Sequence, residues 1–115
     1  MTLNKGDIVL LPFPFTDLRT IKVRPAVVLW VDTTGYDVTS CFISSQNVTI
    51  LNPEEFLLDP SDSDFQITGL RIASKVRVTR VVTVERGLIT KRIGKLSDTY
   101  IQQLNTVLQQ ALQLV

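Results

Sequence analysis

The chain contains no histidine. Ser-His-Asp and Cys-His catalysis, histidine-ligated zinc and the usual imidazole acid/base chemistry are excluded together. It has one cysteine, Cys41, so no internal disulfide forms, and its setting in "TSCFIS" reads as a small core side chain. A reducing compartment is the expectation, and the protein is read as cytoplasmic. Prolines and charges interrupt every apolar run short of the roughly 18 residues of a membrane span. The N-terminal "MTLNKGDIVLLPFPF" also lacks the long apolar segment and small-residue cleavage site of a signal peptide. A formal net charge of +1 argues against a general cationic coat, so anion binding has to come from local clusters.

What is present is an ordinary folded composition: 115 residues, 44% hydrophobic and 20% charged, enough for a single domain over residues 1–115 with one modest core. Asp7 to Leu11 reads as a short strand, and Pro12 and Pro14 after it suggest an edge or a bend. "AVVLWV", Ala26 to Val31, reads as a strand buried on both sides, and "VTSCFISS" as its hairpin partner across "DTTGYD", where Gly35 is available for a positive φ. "EEFLL" is a further short strand and "DPSDSD" a mobile loop. "SKVRVTRVVTVE" alternates Lys75, Val76, Arg77, Val78, which predicts a half-exposed strand with one basic face. "GLITKRIGKL" holds one more short strand bounded by Gly87 and Gly94. The last segment changes period: Ile101, Leu104, Val107, Leu108, Ala111 and Leu112 fall on one helical stripe, with Ser97 or Asp98 as N-cap. The expected architecture is a small, twisted β-barrel or sheet closed by a C-terminal helix.

Three groups of residues carry candidate chemistry. Arg24 precedes Pro25 at the start of the second strand. It is either a solvated arginine on a strand forced extended by proline or a rigidly placed fork for a phosphate. "ISSQN" ends the next strand, and alone it is turn chemistry. If the two strands pair as a hairpin, however, Ser44 becomes a neighbour of Arg24, and hydroxyls, an amide and a guanidinium then form a donor array suited to a phosphodiester. The basic stripe Arg71, Lys75, Arg77, Arg80, continued by Arg86, Lys91, Arg92 and Lys95, either keeps an edge soluble or follows a nucleic-acid backbone. "DPSDSD" fails the calcium-loop pattern, since Phe65, Gln66 and Ile67 stand where a glycine is required, and no metal site is assigned.

Taken in order, "GDIVLLPFPFTD", "VRPAVVL", "ISSQ", "SKVRVTRVVTVE" and "GKLSDTYIQQLNTVLQQAL" resemble the MazF/PemK family of toxins from type II toxin–antitoxin systems. The resemblance spans nearly the whole chain. It implies an SH3-like small β-barrel, a homodimer, and a metal-independent, cofactor-free endoribonuclease. Such an enzyme cuts single-stranded RNA within a short sequence to 2′,3′-cyclic phosphate and 5′-hydroxyl ends, and a cognate antitoxin silences it. Catalytic roles fall to Arg24 and Ser44. Substrate-binding roles fall to Thr16, Asp17, Arg19, Lys22, Ser45, Gln46, Lys75 and Arg77. Two departures stand out: Ser44 replaces the family threonine, and "TDLRTIKV" replaces a Glu-Gln found before the arginine in many relatives. The competing readings are a non-catalytic small barrel that binds RNA or a peptide, and a CcdB-like gyrase poison. For the latter, the C-terminal "LQLV" lacks a tryptophan-type anchor.

Overall fold

Residues 2–13 and 22–114 are described by the computed structural model. Strands β1 (Asp7–Phe13), β2 (Lys22–Val31), β3 (Asp37–Ser44), β4 (Glu55–Leu58), β5 (Ser74–Glu85) and β6 (Lys91–Lys95) are followed by helix α1 (Asp98–Ala111). The strands form one antiparallel sheet in the order β4-β5-β3-β2-β1-β6, curled into a half-barrel. Register shifts interrupt three of its ladders, at Ile8/Val9, Val28/Trp30 and Cys41/Ile43. Such bulges bend a strand and add twist, which is how a short sheet curls this tightly.

Alternation along β1, β2 and β3 divides the core between the two faces of the sheet. Ile8, Val27, Cys41 and Ile43 face the helix with Val76, Val78, Tyr100 and Leu104. Val9, Leu11, Ala26, Val28, Val38 and Phe42 face the other way, with Leu3 and Ile89. The double-sided burial expected for β2 holds from Ala26 to Val28. Past the bulge the strand emerges, and Trp30 is 50% exposed. The expected edge at Pro12 is not where β1 lies, because β1 is flanked by β2 and β6. Its ladder with β6 ends at Leu10, so Pro12 sits beyond β6, where its missing N–H interrupts no β6 bond. Gly35 does not adopt a positive φ. It leaves room instead for the Asp32 side chain, which caps the turn through the Thr34 N–H.

The half-barrel closes without a ladder. A 3-10 turn at Gln66–Thr68 ends at Gly69 with φ 75° and lies against β6. A Cβ on Gly94 would enter the carbonyl group of Thr68, and one on Gly69 would enter that of Ile93, so the two backbones meet because neither glycine has a side chain. Gly94 is therefore inside β6 rather than at its limit. The acidic segment before this turn is tied down: Ser61 N–H donates to Asp59 Oδ1 and Tyr100 Oη to Asp62 Oδ2. Helix α1 begins as expected at Ser97, whose Oγ accepts from Tyr100 N–H at 3.1 Å. Among the described residues no helix is long and apolar enough to cross a membrane.

Candidate functional site

Pro25 holds the start of β2 extended, and the pairing of Ala26 with Phe42 carries Arg24 to the side of Ser44 at the end of β3. Both line an open cleft of about 280 Å³ whose other walls are Phe42, Ile43, Gln46, Arg77 and Arg80. The juxtaposition inferred from a hairpin is thus realised. Among the described residues three arginines and a hydroxyl line this cleft, and none of the described lining residues is a carboxylate.

Arg77 and Arg80 reach the same cleft because β5 abandons its alternation. Cys41 pairs with Val81 and Ile43 with Val76, so the single residue Phe42 faces the stretch Arg77 to Arg80. In a regular strand, residues three apart point to opposite faces; the bulge returns both guanidinium groups to one side. Arg80 belongs to the basic stripe in the sequence, outside the expected site residues. Periodicity alone places it away from Arg77.

Ser44 opens a tight turn. Its Oγ accepts the Gln46 N–H at 3.1 Å, and Asn47 follows in the left-handed region with φ 50°. Beyond the turn lies a second, more polar cleft of about 260 Å³, lined by Ser44, Gln46, Asn47, Ile50, Asn52, Glu55, Lys75 and Arg77. Ser44, Gln46 and Arg77 line both clefts, so the two form one continuous concave strip.

Lys75 does not occupy the exposed basic face expected of it. Its side chain is 9% exposed, and its Nζ donates to Glu55 Oε1 at 3.0 Å and to the carbonyl oxygens of Asn47 at 3.3 Å and Ile50 at 3.1 Å. The cause is position: the first half of β5 lies between β3 and β4, covered on both sides, while its second half is largely exposed. Glu55, whose side chain is 1% exposed, also accepts from Arg77 Nε at 2.9 Å and from Asn52 N–H at 3.0 Å. Burial alone would raise its carboxyl pKa, but the Asn52 N–H, Lys75 and Arg77 outweigh it and hold the group below its ordinary value. In the sequence Glu55 is simply the second residue of the short strand "EEFLL". Its role is invisible until β4 pairs with β5.

Among the other candidates, Lys22 is exposed at the start of β2 and Ser45 is exposed in the turn; neither lines these clefts among the described residues. Thr16, Asp17 and Arg19 lie outside the described residues. Cys41 is buried beneath the helix and desolvation pushes its thiol up to about 12, so it is an inert core residue. Among the described residues no group of His, Cys, Asp and Glu side chains is arranged to hold a metal ion.

A curled antiparallel half-barrel with an arginine- and hydroxyl-lined cleft at one end of its strands defines a small β-barrel fold. The chain belongs to the PemK-like, MazF-like toxins of type II toxin–antitoxin systems, whose family model matches residues 4–112. No curated protein matches it in sequence. Among solved structures it is similar to an endoribonuclease in complex with its cognate antitoxin from mycobacterial species, at 17% identity and TM-score 0.73 over 99% of this chain and 98% of that one. It also resembles the Mycobacterium tuberculosis toxin MazF-mt6, at 20% identity and TM-score 0.68 over 93% and 96% of the respective chains. At these identities the likeness establishes the shared fold.

Proposed function

We propose that this toxin is a metal-independent endoribonuclease acting on single-stranded RNA, with Arg24 and Ser44 at its reaction centre. The observation that carries this reading is that Arg24, Ser44, Arg77 and Arg80 line one cleft. A cleft of that composition favours a phosphodiester over a neutral or cationic ligand.

RNA supplies its own nucleophile, which is why a chain without histidine suffices. The ribose 2′-oxygen bonds to phosphorus as its proton passes to water, the P–O5′ bond breaks, and the departing O5′ takes up a proton from water. The products are a 2′,3′-cyclic phosphate and a 5′-hydroxyl. The protein's part is to hold the phosphate for in-line attack and to stabilise charge on the phosphorane. Arg24 donates to the non-bridging oxygens and Ser44 adds a hydroxyl donor. Gln46 and Ser45 bind adjacent RNA, and Arg77 and Arg80 bind flanking phosphates. Lys22, Thr16, Asp17 and Arg19 are the further substrate-binding candidates that the family resemblance implies.

The family's cognate antitoxin would silence the enzyme by laying an acidic segment along the same basic strip. The toxin would work in the cytoplasm as a homodimer. The exposed Trp30 and Val81, which share the helix-side face beyond the helix, are apolar surface that a second copy would cover.

The test is incubation of the purified protein, in EDTA, with a long single-stranded RNA, mapping 5′ ends beside an Arg24→Ala control. Recurrent cleavage at one short sequence, reduced about 100- to 1000-fold in the control, is the expected result. Cleavage by the control within a few-fold of the parent would overturn the assignment.

A further inference from the structure

The ion-pair network behind the cleft is lopsided in a way that points at the substrate. One carboxylate, Glu55, serves two cations, so the cluster keeps a net positive charge beneath the surface. Lys75 cannot deliver that charge outward. Two carbonyl oxygens and Glu55 Oε1 use all the N–H donors an ammonium owns. Arg77 can. It gives only its Nε edge to Glu55, its side chain is 34% exposed, and it lines both clefts. A carboxylate on Nε fixes the plane of the guanidinium while leaving its terminal nitrogens as a fork directed away from that bond.

We propose that Glu55 is a positioning residue for RNA binding: it orients Arg77 as a phosphate fork, and through Lys75 it ties that fork to the Asn47–Asn52 rim of the second cleft. This rests on the ribonuclease reading above. The geometry is economical because each oxygen of one buried carboxylate has its own task. Oε2 sets the arginine, while Oε1 gathers the Asn52 N–H and the Lys75 ammonium that grips the rim carbonyls. Grip and rim therefore move as one unit, and Lys75 acts on RNA only through the loop it holds.

The test is a double-mutant cycle. Dissociation constants are measured for an RNA oligonucleotide made uncleavable by a 2′-deoxy nucleotide at the scissile position. The proteins are the parent, Glu55→Gln, Arg77→Ala and the double variant, with melting temperatures recorded for each. Each single change is expected to weaken binding about tenfold, the loss of one charge-assisted contact. The double variant should bind no worse than Arg77→Ala alone, because Glu55 acts through Arg77. A merely structural role for Glu55 would make the losses multiply to about 100-fold, and that result, or parent-like binding by folded Glu55→Gln, overturns the proposal. Should Glu55→Gln fail to fold, Glu55→Gln combined with Lys75→Met replaces the buried pair by neutral side chains of similar size, and the same tenfold loss is expected.

Cleavage of the all-ribose RNA by the parent and by Arg24→Ala is scored alongside. Arg24-dependent cleavage with multiplying losses removes the positioning role and leaves the nuclease. Coupled losses without cleavage do the reverse. A parent that does not bind the oligonucleotide overturns both.

Discussion

The Oγ of Ser44 accepts the backbone N–H of Gln46 at 3.1 Å. This bond commits a lone pair of the hydroxyl and leaves its proton free to donate, and it restrains a side chain that lacks threonine's second Cβ substituent. Ser44→Ala should lower the cleavage rate about 100-fold. Ser44→Thr should stay within a few-fold of the parent, because the turn already supplies the restraint that a methyl group would add. Single-turnover rates on a short RNA containing the cleavage site check both values.

Lys75 is expected to matter for stability more than for charge steering. Lys75→Met leaves the Glu55 carboxylate buried with one cation and removes the ammonium from the Ile50 carbonyl and from the Asn47 carbonyl, which keeps the Ile50 N–H. Breaking a buried pair from one side typically costs about 3–5 kcal/mol. Urea unfolding should show a loss in that range, and Lys75→Arg should recover little, since a planar fork cannot reproduce the ammonium's convergence on three oxygens.

The Tyr100 hydroxyl makes the fold sensitive to alkali. Burial, then the hydrogen bond to Asp62, raises its pKa from an ordinary 10.0 to about 12. The folded state therefore holds its proton more tightly than the unfolded chain. The resulting stability is complete below pH 10 and is lost as pH rises toward 12. Tyr100→Phe should cost about 1 kcal/mol at neutral pH and flatten the decline in melting temperature between pH 10 and 12.

Gly94→Ala tests how the half-barrel closes. The added methyl would meet the carbonyl groups of Thr68 and Ile67, which are backbone and cannot rotate away. A destabilisation of about 1–3 kcal/mol is expected. Gly87→Ala, where a Cβ meets nothing nearby, serves as the control and should change thermal unfolding little.

Much of this protein was determined locally. The β-branched run after Pro25, the Ser97 cap and the apolar stripe from Ile101 to Ala111 set strand and helix by short-range sterics and by the periods of 2 and 3.6 residues, and the structure follows them. Even the meeting of Arg24 with Ser44 could be argued, because a hairpin converts sequence order into register. The absence of histidine leaves guanidinium and hydroxyl groups as the chemistry the sequence offers. Tertiary structure decided what alternation could not. The bulge opposite Phe42 brings Arg77 and Arg80 to one side, and the pairing of β4 with β5 turns Lys75 inward onto Glu55. Both depend on partners that a strand acquires only when the sheet assembles. A lysine at the same position of an edge strand would have stayed in water, and here it is the neighbouring strand and loop that make it part of the frame.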